Sequence, residues 1–445
     1  MRLSASLAQF ATNRSSFAVA EDVYAVMRLS LFDWIAVGRA GVDQPVSKLV
    51  RQMVLEDGGA GIASVFGCSD RLPAKAAALS NGTTSHALDY DDTHFANVGH
   101  PSVAIIPAAL AVAEKVGATG KEFLDAALIG VEAATRVGIW LGRAHYQLGF
   151  HQTATAGCFG ATLAACRLLG ATAQQTQFAL GIASTRASGL KSQFGTMGKP
   201  YNAGIAAANG VEAAELSVLG FVSVLDGIEC AQGFGETHGA ERPDPDAVLS
   251  DLGTTFLFES VQHKFHACCH GLHAGLEALI EAREQLQISS HDVRSVMLTV
   301  NPRWSKVCNI PVPSSGLEAK FSYRLTAAMI LAGWDTSALS TFSEVACQDG
   351  VLIDLRDRVT VREDSTVSDT ETQVVIELLS GRSIRVTHDL SHPLALNMRE
   401  AKVKAKGAGL LGSKPAAILW DRVCEAVSSS EEVRSFNLIG SGQPD

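Results

Sequence analysis

From about residue 20 to 235, apolar positions recur three or four residues apart, the spacing of one helix face. EDVYAVMRLSLFDWIAVGRA, PAKAAALSNGTTSHALDY, GKEFLDAALIGVEAATRVGIWLGRA and HQTATAGCFGATLAACRLLG all read this way, and ATAQQTQFALGIA and PYNAGIAAANGVEAAELSVLG continue the style. Alanine and glycine dominate these faces, which lets helices approach closely and be buried all round. Gly117 and Gly170 mark stops. After about residue 262 the period changes. RSVMLTVN alternates apolar and polar positions, and DRVTVRED, QVVIELL and SIRVTHDL are β-branched runs. Ser380-Gly381-Arg382 joins the last two as a hairpin. EAKFSYRLTAAMILAGW predicts a helix among them, and REAKVKAKGAGLLG and PAAILWDRVCEAV are helical again. The pattern predicts a mainly α protein, with a large all-helical domain over residues 1–262, rejoined by 400–445, and a smaller α+β domain over 263–399.

A length of 445 residues exceeds one compact core, in keeping with two domains. With 47% hydrophobic and 18% charged residues, the chain has ample apolar surface to bury, which argues against disorder. A formal net charge of -10 offers no basic face for nucleic acid. An anionic substrate has to be met by locally placed cations. The nine cysteines form no CxxC pair and read as reduced, cytosolic thiols. The N-terminal stretch has no signal-like apolar region, and SVAIIPAALAVAEKVGA is too short and Ala-rich to span a bilayer. The expectation is a soluble cytoplasmic protein with no membrane partner.

Ionisable chemistry concentrates in a few places. HALDYDDTHFANVGHPS, residues 86–102, packs Asp89, Asp91 and Asp92 with three histidines and Thr93 into a helix-to-helix loop. Such groups in one loop shift one another's protonation. N-caps and a solvated acidic turn are the plainer explanation for any single aspartate. Asp91-Asp92 also resembles the start of a DDxxD magnesium site, but Phe95 stands where the last acid belongs, and no phosphate cradle is present. In HKFHACCHGLH, His263, His266, His270 and His273 are spaced for one helix face, where two histidines can share zinc. HExxH is absent, and Lys264 beside them is the more suggestive group, a cation for an anion. In FGTMGKPYNAG, Pro200 argues against helix through Lys199 and puts that lysine on an exposed loop entering the next helix, a carboxylate-binding corner. In GFHQTATAGCFGA, His151 opens a small-residue helix, where a lone histidine is more often a cap or a satisfied core group, and its company is what singles it out.

Taken together, HALDYDDTHFANVGHPS, GFHQTATAGCFGA, GTMGKPYNAGIAAANG, HKFHACCHGLH and EAKFSYRLTAA resemble the MmgE/PrpD family, in order and spacing, from about residue 10 to 400. The resemblance implies a large helical domain with an α+β lid domain, a homodimer, and neither metal nor organic cofactor. It implies an enzyme acting on a small anionic polycarboxylate at a carbon next to a carboxylate. Family members include 2-methylcitrate dehydratase, cis-aconitate decarboxylase and iminodisuccinate epimerase. The family's site falls on Asp89, Thr93, His100, His151, Lys199 and Lys264, with Asn309 as a further substrate contact. His100 is then the first choice for proton abstraction, with Asp89 orienting it, and Lys199 and Lys264 grip carboxylates. The family's decarboxylases carry a tyrosine just before an Asn-x-Pro turn; this chain has Val307-Cys308 before Asn309-Ile310-Pro311. That departure, with chain length, points to epimerisation of an iminodisuccinate-like substrate, with dehydration as the alternative. A magnesium-dependent prenyl or terpene enzyme and a non-catalytic helical scaffold are the readings from other classes.

Overall fold

The structure, a computed structural model, describes residues 2–13, 19–239 and 241–440. Part of the stretch read as lacking a signal, residues 14–18, lies outside them. The fold is mainly α. The chain divides into two compact units, residues 1–263 with 403–445, and residues 264–402.

The first unit is helical. It contains α1 (Leu3–Thr12), α2 (Glu21–Ala40), α3 (Pro45–Asp57), α4 (Ala74–His86), α5 (Ser102–Val116), α6 (Gly120–Leu148), α7 (Gln152–Leu169), α8 (Ala173–Ser184) and α9 (Gly198–Val218). Local chemistry sets several ends. Thr119 with Glu122, and Thr172 with Gln175, form capping boxes at the starts of α6 and α8. Gly117 and Gly170 end α5 and α7 in the left-handed conformation.

The alanine and glycine content has a packing reason. α4, α7 and α9 cross so closely that side chains larger than hydrogen do not fit at some crossing points. A Cβ on Gly204 would stand 2.2 Å from Thr83 Oγ1 and 2.4 Å from Leu79 O, and one on Gly210 would stand 2.5 Å from Ala161 Cβ. The resulting core is small-residue and close-packed, including Ala77, Ala78, Ala161, Ala165, Ala207, Val211 and Ala214. It fixes the ends of α4, α5, α7 and α9, where the candidate chemistry sits.

The second unit contains a four-stranded sheet of order β2-β1-β3-β4, formed by β1 (Val293–Val300), β2 (Val359–Glu363), β3 (Glu371–Leu378) and β4 (Ser383–Asp389). β1 and β2 are parallel, while β3 is antiparallel to both β1 and β4. The alternating stretch and the three β-branched runs are thus strands, and the β3–β4 turn uses Gly381 at φ 86. Val296, Leu298, Val374, Ile376 and Ile384 are buried on the sheet, and the helix His273–Leu286 packs against β3 and β4.

Two helical expectations here are corrected. EAKFSYRLTAAMILAGW is not one helix: Gly316–Ala319 and Tyr323–Leu331 are separate, because Ser322 caps the second by accepting from Leu325 N. Nor do the four histidines of residues 263–273 share a helix face. Only His273 begins an α-helix, after a short 3-10 turn over His270–Leu272. Long-range backbone bonds hold the preceding segment open, from Ala267 N to Thr336 O at 2.8 Å and from Cys269 N to Lys320 O at 3.0 Å. Among the described residues, no helix is long and apolar enough to cross a membrane.

Candidate functional site

The loop between α4 and α5 is built from its two ends inward. His86 closes α4, and Asp89 N bonds back to His86 O at 3.1 Å. Asp89 takes φ 51, a left-handed conformation that a short polar side chain tolerates best after glycine. At the far end Asp92 Oδ2 accepts from Ser102 Oγ at 2.5 Å and its Oδ1 from Ser102 N at 3.3 Å, tying the loop to the start of α5. His100 N donates to Thr153 Oγ1 at 3.0 Å, fixing the loop to α7.

These restraints bring one carboxylate between two imidazoles. Asp91 Oδ1 lies 2.8 Å from His86 Nδ1, and Asp91 Oδ2 lies 2.8 Å from His100 Nδ1. The two rings meet edge-on with centroids 4.7 Å apart. Burial pushes the Asp91 carboxyl up, but the neighbouring His100 and His86 rings prevail and hold it well below the carboxylate range. On the outer side, Asp89 Oδ1 lies 3.5 Å from His100 Nε2, and Asp89 Oδ2 lies 2.6 Å from Lys199 Nζ. The order is therefore His86, Asp91, His100, Asp89, Lys199, in alternating type.

His151, the residue before α7, stacks with His86 at 6.0 Å and meets Phe194 edge-on at 5.0 Å. Its Nδ1 lies 3.3 Å from Asn202 Nδ2. Burial, reinforced by His86 and Lys199, pushes its pKa well below the usual histidine value, so the ring is neutral at pH 7. Lys199 is not on an exposed loop, as the sequence suggested. It lies in the first turn of α9 with a side chain only 15% exposed, because Pro200 needs no N–H partner there.

Behind the cluster, Asp92 is buried with its carboxyl pushed up to about 7, chiefly by burial, with Asp33 and Asp91 adding to the rise. Lys406, from the helix Leu396–Leu411, pairs with Asp33 at 2.6 Å and donates to Tyr90 O at 2.5 Å.

The structure thus brings together Asp89, His100, His151 and Lys199. Thr93 pairs through its backbone with Gln262, at 2.8 and 2.7 Å. Lys264 and Asn309 belong to the second unit; Lys264 is buried, and Asn309 bridges to Ser322. Sequence reasoning missed His86, Asp91 as the shared acceptor, and Asn202. Lys199 and Asn202 are three apart on one helix face, a signal hidden by reading Pro200 as a break.

His86, Asp89, Asp91 and His100 also offer four ligand atoms within 4.8 Å of one another, enough for a cation. Within this group, the two 2.8 Å contacts each join an imidazole nitrogen to Asp91.

Residues 5–245 match the MmgE/PrpD N-terminal domain and residues 266–418 the MmgE/PrpD C-terminal domain. A cis-aconitate decarboxylase-like protein of Aspergillus oryzae is 30% identical over 292 residues, covering 62% of this chain and 61% of that protein. Cis-aconitate decarboxylase of Aspergillus terreus is 29% identical over 290 residues, 62% of this chain and 59% of the relative. The human cis-aconitate decarboxylase is 29% identical over 284 residues, 61% and 58% respectively. The chain spans about three-fifths of the length of these relatives.

Proposed function

The chain belongs to the MmgE/PrpD family, and from that membership and the geometry around Asp91 we propose that it abstracts a proton next to a carboxylate of a small polycarboxylic acid. The observation that carries this reading is the single buried carboxylate with an imidazole nitrogen 2.8 Å from each of its oxygens, one of the two rings lying beside the Asp89–Lys199 pair.

With Nδ1–H of His100 donated to Asp91, Nε2 carries the lone pair and takes the proton. Asp91 then stabilises the imidazolium that forms, and His86 holds the other carboxylate oxygen in place. A positioned base of this kind contributes roughly 10²–10⁴-fold. The carbanion next to a carboxylate is unstable in water, so cations must face the charge as it develops. Each such donor is typically worth about 2.7–4 kcal/mol. Lys199 supplies one, and Asp89, 2.6 Å from its Nζ, aims it. Lys264, Thr93 and Asn309 enter as substrate contacts on the resemblance alone.

Epimerisation of an iminodisuccinate-like substrate is the specific reaction we propose. It needs a proton returned to the other face, a role for Lys199. The absence of a tyrosine before Asn309 supports this over decarboxylation. Dehydration of a citrate-like substrate uses the same base with an acid beside the leaving hydroxyl and is the second reading. The activity printed for the relatives makes cis-aconitate decarboxylation a third. Proton NMR in D₂O, with chelator-treated protein and iminodisuccinate stereoisomers, 2-methylcitrate, citrate and cis-aconitate, separates them. Deuterium at the α carbon with stereoisomer interconversion supports epimerisation. A new vinylic signal from 2-methylcitrate or citrate indicates dehydration, and replacement of the cis-aconitate signals by those of a product one carboxylate shorter, with CO₂ as the leaving group, indicates decarboxylation. Silence across the panel that magnesium or zinc reverses would overturn the proton-transfer reading in favour of a metal on His86, Asp89, Asp91 and His100.

We also propose the homodimer that the resemblance implies. Leu219, Phe221, Val222 and Val224 are all exposed and suit a partner's apolar surface. Light scattering of the wild type and Val222→Lys tests it; a wild type that scatters as a monomer would exclude the dimer.

A further inference from the structure

In the second unit, the scattered cysteines are not all scattered in space. Cys308 Sγ lies 3.1 Å from Cys269 Sγ across 39 positions of sequence. No disulfide joins them, nor any other pair of cysteines among the described residues. The approach is built by backbone on both sides. Cys269 N donates to Lys320 O at 3.0 Å, and Ile310 N, two residues beyond Cys308, donates to Phe321 O at 3.1 Å. Asn309 bridges to Ser322, so both cysteines are pinned to the same short segment, 320–322. Trp304 presses on the turn beside Cys269 so closely that a Cβ on Gly271 would stand 2.4 Å from its ring. Tyr323 Oη closes the arrangement by donating to Gly271 O at 2.6 Å.

We propose that Cys269 and Cys308 are a reversible dithiol–disulfide site, oxidised by a low-molecular-weight disulfide of the glutathione class. A covalent S–S bond is about 2.05 Å, so closure requires the sulfurs to approach by about 1 Å, a side-chain adjustment. Cys269 is half-buried and meets the oxidant first, whereas Cys308 is fully buried. The Cys269 thiolate attacks one sulfur of the oxidant, forming a mixed disulfide and releasing one glutathione thiolate. The Cys308 thiolate then attacks the Cys269 sulfur, closing the bond and releasing the second. Two electrons pass to the oxidant, and the two cysteine protons end on two glutathione molecules. Burial, with Cys269 and Cys268 beside it, pushes the Cys308 thiol well up, opposed by the Lys264 ammonium, so the second step is the slower one. Closure would tie the backbone five residues after Lys264 to the residue before Asn309, the two positions of this unit that the proposed function uses. The bond itself is independent of that function.

The test uses the full chain, reduced, transferred to oxidised glutathione, quenched by alkylation and digested with trypsin without reduction. Cleavage after Lys264 and Lys306 puts Cys268 and Cys269 on one peptide and Cys308 on another. The expected product is those two peptides joined, with fragmentation placing the link on Cys269 and dithiothreitol reversing it. In Cys308→Ser, Cys269 should stop at the glutathione mixed disulfide. If that variant does not fold, Cys269→Ser should give no joined peptide. A Cys268–Cys269 link, a wild-type mixed disulfide that never advances, or complete alkylation of both thiols after oxidant would each overturn the proposal.

Discussion

The neighbourhoods of His100 and His266 use the same ingredients to different ends. In the first unit, His100 stands between two carboxylates, Asp91 at 2.8 Å and Asp89 at 3.5 Å, with Lys199 on the outer one. In the second, His266 Nδ1 is 2.6 Å from Thr336 Oγ1, its Nε2 is 3.5 Å from Glu277, and Lys402 grips Glu277 with both contacts below 3 Å. Both are imidazole, carboxylate and ammonium. The difference lies in what holds them. Around His100 the acids sit on a loop with a left-handed residue at Asp89, a second imidazole shares the carboxylate, and a third ring stands nearby. Around His266 the carboxylate sits inside a regular helix and is saturated by a lysine and a histidine. His273 and His270 pack there as rings 4.6 Å apart. The His266 network closes on Glu277, a residue inside a helix, whereas the His100 network is carried by a loop and holds the residues that the proposed function uses.

The largest expected effect tests the loop side. His100→Asn or Asp91→Asn should lower the rate of α-deuterium incorporation by roughly 10²–10⁴-fold while circular dichroism stays unchanged. Glu277→Gln, measured beside them, should leave the rate within a few-fold. Equal losses from both neighbourhoods would erase the distinction.

The sequence made the helical face pattern and the β-branched runs legible because each is a local periodicity. It also revealed the loop, because α4 ends at His86 and α5 begins at Ser102 in plain view. It could not show which aspartate does what. Asp89, Asp91 and Asp92 are near neighbours, yet Asp91 is held down by two imidazoles of its own stretch, whose pairing with it the spacing does not reveal, and Asp92 is pushed up by burial and by Asp33, far away in the chain. Lys199 was misplaced because a proline was read as a break where the first helical turn accepts it. The histidine run was misread because long-range backbone bonds from Thr336 and Lys320, invisible to periodicity, override its helical spacing.

Asp92 gives the next effect in size. Its folded pKa of about 7 lies above the ordinary carboxylate value, so ionisation costs the folded state. Stability from this group is fully present below about pH 4 and declines as pH rises to about 7, by up to about 4 kcal/mol. Asp92→Asn keeps an acceptor for Ser102 and should remove that decline, read as the difference between wild-type and variant urea unfolding across pH 4–8. Parallel curves would mean the carboxyl is not perturbed. Glu277 has the opposite sign. Its pKa is lowered to about 2, since the His266 and Lys402 partners outweigh burial. Its stabilisation is therefore present above about pH 4.5, is lost as pH falls toward 2, and amounts to about 3 kcal/mol. Glu277→Gln should lose most of it at pH 7 and flatten the acid limb of unfolding.

The smallest effect is the most discriminating, because it touches a hydroxyl rather than a charge. Thr336 Oγ1 stands 2.6 Å from His266 Nδ1 in buried surroundings, and the Thr336 backbone carbonyl accepts from Ala267. Thr336→Val keeps the shape and the carbonyl and removes only the hydroxyl, leaving Nδ1 of His266 without that partner. A buried polar atom so deprived costs about 1–3 kcal/mol. Urea unfolding should show a loss of that size with the deuterium-exchange rate intact. Thr153 holds the corresponding place on the loop side, accepting from His100 N. Thr153→Val should also destabilise by about 1 kcal/mol. There, however, the loss frees the backbone that aims His100, so the exchange rate should fall with it. If both variants change stability alone, the loop is as rigid as the helix, and the difference between the two neighbourhoods lies in their partners and not in what carries them.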